Sequence, residues 1–133
     1  MNKKEHLSKI FDLLESVLTA LLLSIALYCL SGILYQHFTG TLFFPFGYRP
    51  VMILSGSMEE ELQTGSIVIV KQTKEVKEND IVFFLTDDHV PVIHRYIATT
   101  DQGELITKGD ANPMEDSDPV SLDQVFGKVI KVF

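Results

Sequence analysis

A chain of 133 residues, 46% of them hydrophobic, has room for one modest domain and little more. Its formal net charge of −7 comes entirely from residues 49–133, which carry 8 basic against 15 acidic side chains, and so acidic a domain argues against nucleic acid as a partner. The single cysteine, Cys29, lies in an apolar run and excludes a disulfide framework within the chain.

Between Glu15 and Arg49 there is no Asp, Glu, Lys or Arg. Ser16 to Gln36 is 21 residues rich in Leu, Ile, Val and Ala. As a helix this stretch spans about 32 Å, which matches a bilayer core of roughly 30 Å. A cleaved signal peptide is the rival, but the run is longer than a typical apolar core of such a peptide and no Ala-x-Ala follows at the right distance. A lipid-modified Cys29 fails because Tyr28 is too large for the preceding position. The expected organisation is a cytoplasmic tail over residues 1–15, a transmembrane anchor over 16–38 and an extracytoplasmic domain over 39–133. Lys3, Lys4 and Lys9 flank the anchor on one side, whereas the first basic residue beyond it is Arg49. The positive-inside rule then puts the N-terminus in the cytoplasm and the acidic domain across the membrane.

Beyond the anchor, residues 42–50 hold Phe43, Phe44, Phe46 and Tyr48, interrupted by Pro45, Gly47 and Pro50 so that no helix runs through. Core packing is the common role for such aromatics. Closeness to the anchor favours a loop that dips these four aromatics into the membrane interface, with Tyr48 and Arg49 at headgroup level.

Val51 to Leu54 is an apolar run that ends in Ser55-Gly56-Ser57-Met58, with Glu59, Glu60 and Glu61 directly after. Ser-Gly-Ser is usually an ordinary turn. A nucleophilic hydroxyl, however, must sit at the end of a rigid element near N–H groups that can receive an oxyanion, and Gly56 permits such a turn. From Thr64 onward the pattern is of short strands: Gly65–Lys71, Ile81–Leu85, Val90–Thr99, Leu105–Thr107 and Val125–Val132. Between the first two, Lys77 to Asp80 reads as a turn with Asn79 at positive φ. The fold class is therefore mainly β, a small, partly closed barrel-like domain preceded by one transmembrane helix.

Two features of the β region bear on chemistry. Alternation in the strand Val92-Ile93-His94-Arg95-Tyr96 puts His94 on one face and Arg95 on the other. Strand histidines are mostly structural, yet imidazole is the usual general base for a hydroxyl at neutral pH. His89, beside Asp87 and Asp88 in a turn, suits a solvated role better. The loop from Thr107 to Asp118 is rich in acids and amides. It admits three readings: a solvated turn, a calcium site built from Asp110, Asn112, Asp116 and Asp118, or an acid that orients His94. The EF-hand spacing is absent, which weakens the calcium reading.

Ser55-Gly56-Ser57-Met58-Glu59, Ile93-His94-Arg95 and Lys108-Gly109-Asp110-Ala111-Asn112, with Asp116 six positions after Asp110, together resemble signal peptidase I. Histidine, where the common bacterial branch has lysine, makes the chain similar to the endoplasmic-reticulum-type branch and to its Gram-positive bacterial members. The resemblance spans roughly Ser55 to Lys131. It implies Ser57 as nucleophile, His94 as general base, Asp116 as triad acid and Asp110 as a second required acid. Ser57 N–H and the Ser55 hydroxyl would form the oxyanion hole, with no metal and no cofactor. It departs at Glu60, where the family usually has proline, and many members continue into a second membrane helix.

The implied function is a single-pass membrane serine endopeptidase that cleaves signal peptides from exported preproteins. Its setting would be the cell membrane, or the endoplasmic reticulum membrane of a eukaryote. Its partners would be those preproteins, the lipid bilayer and membrane subunits. The rival is a non-catalytic, membrane-anchored β-domain that binds partner proteins.

Overall fold

The computed structural model describes residues 2–133. The chain divides into two compact units, one running to Pro45 and the other from Phe46 to Phe133. The first is one long helix, α1 (Lys3–Thr39), with a short following segment. The Asn2 N–H is held by the Glu5 carboxylate at 3.2 Å, one half of a capping box. Gly40 ends the helix in the left-handed region, φ 71°, and its N–H reaches Gln36 O at 2.8 Å. At 37 residues the helix spans about 55 Å, so the expected anchor over 16–38 is the apolar part of a longer rod that also takes in the charged residues before it. Leu13, Leu14, Leu18, Leu21, Leu22 and Leu23 are all more than half exposed, spread around the axis. A helix that is apolar on every side over such a length is long and apolar enough to cross a membrane. Mean hydropathy of 2.3 over its most apolar window meets the same requirement.

The second unit is one antiparallel sheet of six strands among the described residues: β1 (Tyr48–Met52), β2 (Ile67–Gln72), β3 (Ile81–Leu85), β4 (Pro91–Thr99), β5 (Leu105–Lys108) and β6 (Val125–Val132). Their order is β1-β2-β6-β3-β4-β5, so β1 and β5 form the two edges and the sheet is not closed by hydrogen bonds. Five strands lie where the β-branched runs predict them. The sixth, β1, falls partly in the stretch read as an interfacial loop. Pro50 is tolerated within it because an edge strand has a side with no ladder to complete.

The continuous apolar run of β3 marks the centre of the sheet. Val82, Phe83 and Phe84 are all buried, so both faces of this strand are covered. Val82 and Phe84 join Tyr96, Leu105, Val120 and Val125 in one core, while Phe83 pairs on the other face with the Phe126 ring at 6.4 Å. Each such buried side chain contributes roughly 1.5–3 kcal/mol. The floor they make carries His94, which stands directly opposite Val82 in the β3–β4 register.

The turn into β3 has Asn79 at φ 75°, as its position predicts. Asp80 beside it accepts from Lys128 Nζ at 2.9 Å and from the Lys77 N–H at 3.1 Å. Burial alone would raise the Asp80 carboxyl, but the bonds from Lys128 and Lys77 outweigh it and hold the group below its ordinary value. A depressed folded-state pKa adds stability above the unfolded-state pKa, and that stability is lost as pH falls through the folded value. Asp80→Asn is expected to lower Tm at neutral pH, with the gap to the wild type closing as the pH drops below about 4. A Tm gap that is the same at acid and neutral pH would contradict this role for Asp80.

Candidate active site

Three separate pieces of chain meet on the β4 floor. The first is the short 3-10 turn Gly56–Met58, which follows β1 after Ile53, Leu54 and Ser55. Met58 and Leu62, both essentially without exposure, anchor the turn and the segment after it. Ser57, immediately before Met58, is half-buried. Its carbonyl accepts the Ala111 N–H at 2.9 Å, so the turn is also pinned from the second piece, residues 109–112. Gly109 is needed there: a Cβ would lie 2.5 Å from Ser57 O and 2.7 Å from Asn112 Nδ2. The third piece is β4 itself, bearing His94.

His94 Nε2 lies 3.1 Å from Ser57 Oγ, and His94 Nδ1 lies 2.7 Å from Asp116 Oδ2. The imidazole is mostly buried, at 12% side-chain exposure, with Asp116 at 24%, so the bonds are shielded from competing water. Thr107 Oγ1 donates to the same Asp116 Oδ2 at 2.7 Å, and the Asp116 N–H donates to Thr107 O at 2.8 Å. Ser55 Oγ stands 3.2 Å from Ser57 Oγ. A hydroxyl, an imidazole and a carboxylate linked in this order is the arrangement by which a base activates a nucleophile and is itself oriented. Beside Ser57 opens a groove of ≈ 390 Å³, walled chiefly by Val51, Ile53, Phe83, Ile93 and His94.

The other candidates fall elsewhere. Asp110 does not reach the imidazole; it grips Arg95 through two bonds of 2.8 and 2.6 Å, and Arg95 also donates to Asn79 O at 2.9 Å. The bond to Asp110 raises the Arg95 guanidinium above its ordinary value against the opposing effect of burial. Asp118 is exposed, with the Ser117 hydroxyl at 3.1 Å. With Asp110 on Arg95 and Asp116 on His94 and Thr107, these two acids serve separate partners rather than one calcium site. His89 lies in the exposed β3–β4 turn at φ 60°. Lys108 pairs in register with Arg95, on the face of the sheet opposite to His94, and Lys71 is exposed in β2. Of the four aromatics expected at a membrane interface, Phe46 and Tyr48 are exposed. Phe44 is buried and Phe43 sets its ring edge-on to Tyr28 at 5.6 Å, so these two are packed inward instead. The gap left by Gly32 admits that ring, which occupies the space a Cβ would need.

Sequence reasoning overlooked Thr107 and the Asp110–Arg95 pair. A threonine in the short run Leu105-Ile106-Thr107 carries no mark of function, and only register sets it opposite Tyr96, on the face of β4 that also bears His94.

Residues 48–130 match the model of the Peptidase S24-like family, and the chain belongs to that family. Signal peptidase I W of Bacillus subtilis (strain 168) is 44% identical over 86 residues, which is 60% of this chain and 45% of the relative. The signal peptidase complex catalytic subunit SEC11 of Fusarium vanettenii is 32% identical over 75 residues, 51% of this chain and 44% of the relative. That of Scheffersomyces stipitis is 37% identical over 71 residues, 50% and 43% respectively. The chain thus spans under half the length of these curated relatives. The resemblance to signal peptidase read from the three sequence boxes stands on independent ground.

Proposed function

We propose that the chain is a membrane-anchored serine endopeptidase that removes signal peptides from exported preproteins, with Ser57 as nucleophile, His94 as general base and Asp116 as the acid that orients it. The observation that carries this reading is the line of hydrogen bonds from Ser57 Oγ through the imidazole to Asp116 Oδ2, at 3.1 and 2.7 Å. The names of the relatives support the substrate class.

The chemistry follows from the bond directions. Asp116 Oδ2 accepts the Thr107 hydroxyl and faces His94 as an acceptor, so Nδ1 carries the imidazole proton and Nε2 turns its lone pair to Ser57. Ser57 Oγ attacks the scissile carbonyl carbon as its proton passes to Nε2. The oxyanion is received by Ser57 N–H and the Ser55 hydroxyl. Collapse breaks the C–N bond, His94 gives its proton to the leaving amine, and water repeats the sequence on the ester. The groove beside Ser57 accepts the substrate segment ahead of the cleaved bond. Asp110 acts at one remove: its pair with Arg95 ties residues 109–112 to β4, and Ala111 in that turn holds Ser57 O.

In this reading α1 is the anchor, with its N-terminal end in the cytoplasm and the β unit outside. Exposed Phe46 and Tyr48 sit at the headgroups. Preproteins and lipid are the partners, and the exposed sides of α1 leave room for other membrane subunits.

The test of the reading is cleavage of a preprotein by the purified full chain in lipid vesicles, with the new N-terminus identified by mass spectrometry. Cleavage at the signal-peptide junction is expected, and a Ser57→Ala chain that cleaves equally well would overturn it. Orientation has its own measurement. In a Cys29→Ser background, a cysteine at exposed Glu75 is expected to react with an impermeant thiol reagent added to intact cells. Labelling only after permeabilisation would reverse the topology.

A further inference from the structure

We infer that Thr107 is a positioning residue for the acid of the site, acting through Asp116 to hold His94 in the orientation that Ser57 requires. The inference deepens the serine peptidase reading and rests on it.

Thr107 is the one fully buried polar side chain among the described residues. Its hydroxyl proton has a defined destination, Asp116 Oδ2 at 2.7 Å, and that oxygen is also the one 2.7 Å from His94 Nδ1. A single residue therefore holds Asp116 at two points, by its hydroxyl at the carboxylate and by its carbonyl at the Asp116 N–H. The clamp is itself stiff. Threonine is branched at Cβ and restricted at χ1. β5 is bonded on one side to β4, with Thr107 opposite Tyr96, and Leu105 exchanges both backbone bonds with Val120 on the other at 2.8 Å. Asp116 lies in the segment between Thr107 and Val120, so it is hung between two fixed points.

The carboxylate has two oxygens and can rotate or present a protonated oxygen to the imidazole. A hydroxyl donor at Oδ2 narrows those choices, because it holds that oxygen in one place, and a carboxylate oxygen has lone pairs enough to accept from Thr107 and His94 together. Without the hydroxyl, Asp116 keeps its charge and its place in the chain but loses the constraint on which oxygen meets Nδ1. The consequence falls on turnover rather than on binding, since the groove that receives substrate is walled by other residues.

The experiment uses the full chain in vesicles with a preprotein substrate, measuring kcat, KM and Tm for Thr107→Val and Thr107→Ser, alone and with Asp116→Asn. Thr107→Val, close in shape but without the hydroxyl, is expected to lower kcat by about 10- to 100-fold with KM nearly unchanged. Thr107→Ser, which restores the donor, is expected to recover most of that loss. In an Asp116→Asn background, Thr107→Val should cost little more, because it acts through a group already removed. A packing role would instead make the two losses multiply. Full kcat in Thr107→Val, a Thr107→Ser variant as slow as Thr107→Val, or multiplying losses with Asp116→Asn would each overturn the inference. Should Thr107→Val fail to fold, Thr107→Ala replaces it in the comparison with Thr107→Ser. Ser57→Ala run alongside separates the two readings: if it cleaves like the wild type the peptidase reading fails. If it is inactive, the Thr107 variants judge the clamp alone.

Discussion

Ser57→Ala and His94→Ala are each expected to lower preprotein turnover by at least about three orders of magnitude, and the double variant to be scarcely slower than either. In the proposed mechanism the two side chains perform one step. Ser57 Oγ becomes a strong nucleophile only as Nε2, 3.1 Å away, takes its proton, and the imidazole has no task once the hydroxyl is gone. The serine hydroxyl has Ser55 and His94 as side-chain neighbours and carries none of the apolar core, so Tm of Ser57→Ala should hardly move. His94→Ala also removes a ring from the floor over Val82 and should cost some stability in addition. Effects of the two substitutions that simply multiply would mean that they belong to different steps, and the assignment of His94 as the base would fall. The Ser-Lys alternative makes the opposite prediction for His94→Ala, and it lacks a lysine in the right place, since Lys108 faces away from His94 and Lys71 is exposed.

Asp116→Asn is expected to reduce turnover by on the order of 10³- to 10⁴-fold, while Asp118→Asn stays within about twofold of the wild type. An amide at 116 can turn its NH₂ toward His94 Nδ1. The imidazole then carries its proton on Nε2, directed at Ser57, and can no longer accept from the hydroxyl. The change is nearly isosteric, so the loss should appear in kcat with the fold retained. Asp118 is exposed, and among the described residues its side chain is bonded only to its neighbour Ser117, so it has nothing to transmit. The two positions are two residues apart in one loop, which makes the pair a sharp comparison. If the large effect appeared at 118 and the small one at 116, the triad acid would be misassigned.

Elements whose pattern is local were legible. The uncharged run of Ser16 to Gln36 could only be a helix in lipid or a buried one, and the β-branched segments from Ile67 onward announced their strands. The start of α1 was not legible in the same way. Hydropathy marks the apolar part, whereas helix geometry continues through Lys4 to Glu15 because charged residues are good helix formers too. Strand β1 was hidden by Pro45, Gly47 and Pro50, which read as breakers; only its position at the sheet edge makes Pro50 harmless. The aromatics show the same limit. Phe44 and Phe46 are two positions apart and alike in chemistry, yet one is buried and the other 65% exposed.

What the sequence determined by itself was the inventory of the site: a hydroxyl after a small turn, an imidazole in mid-strand and an acid six positions beyond Asp110, each with its order and spacing. It also determined a helix long and apolar enough to cross a membrane, since 21 residues without charge span about 32 Å. Tertiary structure alone decided which acid serves which partner. Asp110 and Asp116 are equivalent by composition, but the 109–112 turn folds back on Ser57 and delivers Asp110 to Arg95, while the N–H bond to Thr107 O delivers Asp116 to His94. Adjacent residues on β4 point to opposite faces, so His94 and Arg95 draw their carboxylates from opposite sides of one sheet. Thr107 becomes part of the site by the same route, through a cross-strand register that sets it opposite Tyr96 and leaves no local trace in the chain.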